Sequence, residues 1–486
     1  MAWFHQQGYL YYYGDAEAHL NIARRIADSR TPGPFQFGTV WLPLPHAAMA
    51  LFARNDELWR NGLAGAYPAA AAFVVACGFL FASLRRVTGS RAAAWGGMAV
   101  FALNPNLLYL QSTAMTEAYL FAFLFGLLYF SLRGNAVIAG LCAAAAALCR
   151  YEGWALIPLV AVYLLWKTRK WRTALVFGAI ASAGPVAWVA HNIYYYSDPL
   201  EFYEGEWSAK AIYQRSLDAG MERYPGDGNL AVAARYYAEA AVLVCGIALV
   251  LLAVIGLVGS FRKKRFWWVA LLGAGPAFYV YSMYSGGTPI YVPNLWPHSY
   301  YNSRYGLALL PFLAWGAAEA VALVRGKWRL GFFAVVLAAG IAPWADGEGI
   351  CWKESQVNSE VRRAWTREAA DYLKEHYRGG GIAAGFGDLT GIMRQAGIPI
   401  REMVHEGNLP HWDAMMMRPE LFLGEEWAVT FSGDKLATAI LRADRKAFAA
   451  KGTDAAAILP RYERVKMIYI KGGPVVEIYR RAQSQP

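Results

Sequence analysis

Long apolar runs separated by short polar or basic linkers fill the first two thirds of the chain. A helix that crosses a bilayer needs about 20 mostly apolar residues. About ten stretches approach that description: 63–84, 92–110, 115–132, 136–149, 153–166, 173–190, 239–260, 266–284, 305–324 and 330–344. Two of them, 136–149 and 153–166, are short. The polar residues Arg150, Tyr151 and Glu152 between them predict a tight interfacial turn rather than one re-entrant pair. Beyond about 345 charges become frequent and the runs shorten. There 360–377 and 434–450 read as helices, 382–386 and 427–431 as short strands. The segments 465–470 and 475–479 read as a hairpin across Gly472 and Gly473. The expected architecture is a polytopic α-helical membrane protein of about ten spans with a small C-terminal α/β soluble domain. The expected divisions are an external loop with interfacial helices (1–62), a transmembrane domain (63–345) and a soluble domain (346–486).

Composition agrees. Apolar residues make up 57% and charged residues 17% of the 486 positions, against roughly 25% charged in soluble domains. The 19 Trp and 30 Tyr suit membrane–water interfaces, where an apolar ring with a polar edge is favoured. The net charge of +11 does not point to nucleic acid. The basic residues sit in linkers or beside acids, with no basic face interleaved with stacking aromatics. The five cysteines show neither zinc nor disulfide spacing. No cleavable signal peptide is evident at the start.

Alternate linkers are basic: Arg85, Arg86 and Arg91; Arg133; residues 167–172; residues 262–265; and Arg325, Lys327 and Arg329. The positive-inside rule assigns these to the cytoplasm. The remaining linkers and the C-terminal domain are then expected on the non-cytoplasmic side. An outside segment of 1–62 has no spanning helix before it to carry it across: either the short N-terminus translocates alone or, as is expected here, a first helix is missing from this chain.

The polar residues that stand out all fall in the non-cytoplasmic linkers. A helix starting near Asp15 places Asp15 and His19 on one face, although an aspartate there also serves as a cap or dipole partner. Glu17 lies between them. His46 follows a rigid Pro- and Gly-rich stretch from Thr31 to Pro45. Glu117 opens a span at about membrane depth, where an ionisable group suggests a role; the alternative is a dipole partner on a first turn. Arg150 and Glu152 read either as a site or as an ion pair at a turn. Arg304 and Tyr305 precede a late span, with Arg304 either a bidentate phosphate ligand or a snorkelling side chain. In the tail, His405, Glu406, His411 and Asp413 read as a loop cluster. Carboxylates with arginines at one membrane face suit deprotonation of a hydroxyl and stabilisation of a leaving phosphate.

Taken in order, these segments resemble the GT-C superfamily of membrane glycosyltransferases. That group includes protein O-mannosyltransferases, lipid A aminoarabinose transferases and the oligosaccharyltransferase catalytic subunit. Gly14 to His19 is similar to the acidic first external loop. Asn104-Pro105 through Thr116-Glu117 is similar to the second, and Asn302 through Gly306 with Pro311 to the Arg-Tyr segment before a late span. The resemblance covers roughly 8–315 and the layout of the tail. It implies transfer of a sugar from a polyprenyl-phosphate-linked donor to a lipid, glycan or protein acceptor. Asp15 would be the catalytic carboxylate and Glu117 a supporting one, with Arg304 a donor-phosphate ligand. Glu17, His19, His46, Arg150, Tyr151 and Tyr305 would be substrate contacts. Asp15 is followed by Ala16 where mannosyltransferases carry adjacent acids, which leaves the second acid open. A divalent metal, Mg or Mn, held by Asp15 and Glu117 stays undecided. A lipid or sugar transporter or flippase, and a non-catalytic membrane scaffold presenting the tail, are the rival classes. Against the transporter, span interiors are nearly free of charge apart from Glu319, and no internal repeat is present.

Overall fold

The structure is a computed structural model describing residues 1–345, 347, 349–449 and 461–482. Every one of the apolar stretches is helical. Leu63–Thr88, Trp171–Tyr196 and Ser303–Leu323 are long and apolar enough to cross a membrane. Leu230–Cys245 and Ile247–Arg262 reach that length and apolarity only together, bent by 103°, as a broken span or a re-entrant loop. Shorter apolar helices include Glu117–Leu132, Ala136–Ala147 and Glu152–Thr168, with a turn carrying Arg150 and Tyr151 before the last.

Where the helices break, local chemistry explains it. The stretch read as 92–110 is two helices, Arg91–Ala102 and Pro105–Leu110. The Asn104 side chain accepts the N–H groups of Asn106 and Leu107. Pro105 then takes the first helical position, where its missing N–H costs nothing. The run 239–260 breaks at Gly246, whose φ of 85° lies in the region glycine tolerates. The run 305–324 begins as a 3-10 turn, Ser303–Leu309, before Leu310–Leu323.

The chain forms two compact units. The first comprises Met1–Gln7, Thr39–Pro45 and Ala66–Val357; the second comprises Gly8–Gly38, His46–Gly65 and Asn358–Pro486. This cuts across the expected division at 62 and 346, because most of the N-terminal segment folds with the C-terminal region. The reason is a set of non-local polar contacts. Glu17 pairs with Arg362 and Arg394, the indole of Trp59 donates to Asn21, and Arg30 pairs with Glu425.

The second unit holds one sheet of five strands, β1 (Ile382–Ala384), β2 (Met403–Val404), β3 (Trp427–Phe431), β4 (Tyr462–Ile468) and β5 (Val476–Arg481), in the order β2-β1-β3-β5-β4. Strand β1 runs parallel to both β2 and β3. Strand β5 is antiparallel to β3 and β4, which makes the expected hairpin. Trp365, Leu373, Ile392, Met393, Trp427 and Ile478 lie in the core on one side of this sheet. The helix expected over 360–377 begins ten residues earlier, at Ile350, and runs to His376. The helix expected over 434–450 is Lys435–Ala449; residue 450 lies outside the described residues.

Within the helical unit, small residues set the closest crossings. A Cβ placed on Gly256 would lie 1.8 Å from the Gly316 carbonyl oxygen, and one on Gly97 2.6 Å from that of Ala314. Backbones this near each other exclude any side chain, the arrangement that replaces hydrophobic drive between helices in lipid. Gly256→Val is therefore expected to lower the detergent-solubilised melting temperature. The cost should be about 1–3 kcal/mol or more, as for overpacked cores. An unchanged melt would refute this contact.

Candidate functional site

In the helical unit, three separate turns bring buried charge together. Thr116 and Glu117 start the helix Glu117–Leu132. Arg150 lies in the turn before Glu152–Thr168, and Tyr279 comes from Trp267–Tyr284. Arg150 reaches all of them. Its Nε donates to Glu152 at 2.7 Å, its Nη1 to Thr116 Oγ1 at 2.7 Å and Glu117 at 3.2 Å, and its Nη2 to the Tyr279 hydroxyl at 2.5 Å. Tyr279 in turn donates to Glu152 at 2.7 Å. Both carboxylates sit in the first turn of a helix, where the dipole favours negative charge.

The turn Asn302–Tyr305 completes this group. Arg304 Nε is 3.6 Å from Glu117 Oε1, and its Nη1 is 3.9 Å from Glu354 Oε1. The Tyr305 ring stacks on Tyr279 with centroids 4.5 Å apart and lies 4.8 Å from the Arg304 guanidinium carbon and 5.6 Å from that of Arg150. The two arginines thus differ. Arg150 spends its donors on protein groups at hydrogen-bond distance, and Arg304 Nη2 donates to the Tyr305 hydroxyl at 3.4 Å. Both sides of Glu117 are buried, and its Oε2 has no hydrogen-bond partner among the described residues. Tyr151 donates its hydroxyl to the Val40 carbonyl at 2.8 Å and accepts from Trp188, so it fixes backbone in this unit.

In the second unit, the helix Gly14–Arg25 carries the acidic segment. At about 100° per residue, Asp15 and His19 share one face and Glu17 points away from it. The structure follows this division. Glu17 is buried, held by Arg394 from Nε at 3.1 Å and Nη2 at 2.7 Å, and by Arg362 at 2.9 Å. Arg394 also lies 3.5 Å over the Tyr11 ring. A carboxylate committed to two guanidinium groups anchors its helix. Asp15 is half-buried in the first turn. His19 and His46 are buried and face each other, Nδ1 to Nε2, at 2.8 Å. Such a contact requires one ring nitrogen to donate and the other to accept.

The tail residues do not form a common cluster. His405 is buried, its Nδ1 accepting from the Gly407 N–H at 3.0 Å. Glu406 accepts from the Phe386 N–H at 2.7 Å, and His411 is exposed, 3.8 Å from Glu425. Among the described residues no three His, Cys, Asp or Glu side chains group to hold a metal ion. Asp15 and Glu117 belong to different units, and Glu117 has guanidinium groups beside it that repel a cation.

Sequence reasoning missed Glu354, Tyr279, Arg362 and Arg394. Tyr279 sits in an apolar run and reads as interfacial. Glu354 precedes the point where the amphipathic pattern becomes clear. The two tail arginines carry no local signal, since their partner lies 345 and 377 positions away.

The fold is similar to that of solved ArnT structures, and three helices among the described residues are long and apolar enough to cross a membrane. One similar solved structure is ArnT from Cupriavidus metallidurans bound to undecaprenyl phosphate, with a TM-score of 0.55 at 14% identity over 96% of this chain and 93% of that one. The apo form of the same protein gives 0.52 at 13% identity over 95% and 93%. The archaeal oligosaccharyltransferase AglB from Archaeoglobus fulgidus, solved with an inhibitory peptide and a dolichol-phosphate, gives 0.43 at 14% identity over 86% and 65%. No family profile and no curated protein matches the sequence.

Two predictions follow from these contacts. Arg150→Ala leaves Glu117 and Glu152 without their buried cation, and the purified protein should lose about 3–5 kcal/mol of stability. A melt shifted no more than that of an exposed arginine variant would contradict this. The second concerns acid. Burial, with Arg25 and Arg30 nearby, holds the His405 imidazole well below its usual 6.5. The unfolded chain takes up a proton below 6.5 and the folded chain does not, so acidification favours unfolding by about 1.4 kcal/mol per pH unit at this residue. Burial raises the neighbouring Glu406 carboxyl, which acts in the opposite sense. His405→Gln isolates the histidine: it should melt with a flatter pH dependence than wild type between about pH 7.5 and about pH 5.5. Parallel profiles would remove His405 from the account.

Proposed function

We propose that this protein is an inverting glycosyltransferase that moves a sugar from a polyprenyl-phosphate donor to an acceptor on the non-cytoplasmic side of the membrane. The observation that carries this reading is the buried Arg304 at the head of Ser303–Leu309 in a GT-C fold. Similarity to a protein solved with undecaprenyl phosphate supports the donor class. The alternating basic linkers support about ten crossings, with the C-terminal domain and the reacting face outside the cytoplasm.

In the proposed reaction the acceptor, a lipid, glycan or protein, attacks the anomeric carbon of the donor sugar. The bond from that carbon to the phosphate oxygen breaks, and the bonding pair leaves with the phosphate. Asp15 takes the acceptor's proton, which raises its nucleophilicity. Arg304 neutralises the charge that grows on the leaving phosphate. Arg150, whose donors meet protein groups at 2.5–3.2 Å, has a structural role in this reading. Glu117 supports the site by holding Arg150 and facing Arg304. The Tyr305 ring flanks both cations. His19, on the Asp15 face, and its partner His46 line the acceptor side in this reading.

Replacing Asp15 by Asn keeps the size of the side chain and removes its basicity. Transfer from lipid-linked sugars in proteoliposomes should fall about a hundredfold or more while the variant inserts and melts as wild type. Undiminished turnover in correctly inserted protein would exclude Asp15 as the base.

A further inference from the structure

Glu354 sits in the first turns of the helix Ile350–His376, outside every segment that the sequence marks for chemistry. It is almost fully buried in the helical unit. Its two oxygens meet one short piece of chain. Oε1 accepts the Asn302 N–H at 3.0 Å, and Oε2 accepts the Ser303 N–H at 2.8 Å and the Ser303 hydroxyl at 2.5 Å. The same Oε1 is 3.9 Å from Arg304 Nη1. Asn302 has φ of 56°, and the chain passes from there into the 3-10 turn. Consecutive N–H groups at such a turn form a concavity that binds an anion. Here the anion is supplied by the protein itself.

The platform under Glu354 is equally specific. Asn106 Oδ1 accepts the Cys351 N–H at 2.8 Å, and the Tyr109 hydroxyl meets Ser355 Oγ at 2.8 Å. A Cβ on Gly349 would lie 2.8 Å from that Asn106 oxygen, so the helix start is seated closely on the Pro105–Leu110 turn. These contacts leave the Glu354 carboxylate little freedom to move.

We infer that Glu354 is a positioning residue for the donor phosphate: it locks the Asn302–Ser303 turn and thereby sets the direction from which Arg304 meets the phosphate. This rests on the glycosyltransferase reading above. The backbone contacts at 2.8–3.0 Å, shorter than the 3.9 Å approach to Arg304, identify fixing of the turn as the main role. The phosphate then lies on the guanidinium rather than in the concavity, which the carboxylate fills.

The test uses the full chain in nanodiscs with undecaprenyl phosphate as the probe. Binding is followed by intrinsic tryptophan fluorescence for wild type, Glu354→Gln, Arg304→Ala and the double variant, with a melt of each. Gln keeps the shape but presents an NH2 group to an N–H that needs an acceptor. Glu354→Gln should weaken binding about tenfold. In the Arg304→Ala background the same change should have little further effect, because residues acting through one group are non-additive. Equal losses in both backgrounds, tracking a lowered melt, would mean a merely structural role and overturn the inference. Tighter binding by Glu354→Gln would mean that its charge opposes the phosphate, and would also overturn it. Failure of wild type to bind the lipid phosphate at all would instead refute the donor reading on which the inference rests.

Discussion

The helical unit depends on one guanidinium. Arg150 ties the starts of two helices to a tyrosine of a third, through Thr116 and Glu117, Glu152, and Tyr279. Each carboxylate lies in the first turn of its helix, where the backbone already favours a negative charge. A buried cation without those partners would be intolerable, and buried carboxylates without the cation equally so. The pairing therefore fixes how the three elements meet. It also holds Glu117 in place for Arg304, so the second cation meets a carboxylate that is already set.

The second unit makes a parallel use of charge with a different outcome. Glu17 and Asp15 are two residues apart on one helix and so face different ways. Glu17 turns to Arg362 and Arg394 and holds the helix down. Asp15 and His19 are left on the other face, with His19 against His46. The spacing of the acids, rather than their number, decides which of them meets the two arginines.

The helices were legible because their signal is local. Apolar residues recur over enough length to define each run, and the basic linkers mark their ends. Breaks inside runs were harder to see. The helix restart at Asn104-Pro105 lies inside one apolar run, and Gly246 carries no local signal of a sharp turn. The early start of the helix at Ile350 was hidden because residues 350–359 mix polar and apolar positions next to a short linker. In the sheet, β2 is only two residues long and carries no pattern of its own. At the site, Glu117, Arg150 and Arg304 stood out because charge near membrane depth is costly. Tyr279, Glu354, Arg362 and Arg394 did not, because their meaning lies in partners distant along the chain. The same distance explains why the N-terminal segment, expected to stand apart as an external loop, folds with the C-terminal unit.

The proposed function makes a single chemical claim, that Arg304 receives the phosphate of a polyprenyl-phosphate donor. The most direct measurement is a cryo-EM structure of the protein in nanodiscs saturated with undecaprenyl phosphate. The account predicts phosphate density within hydrogen-bond distance of the Arg304 guanidinium, with the Arg150 contacts to Glu117, Glu152 and Tyr279 intact. Phosphate seated against Arg150 with those contacts broken, or bound away from both arginines, would contradict it.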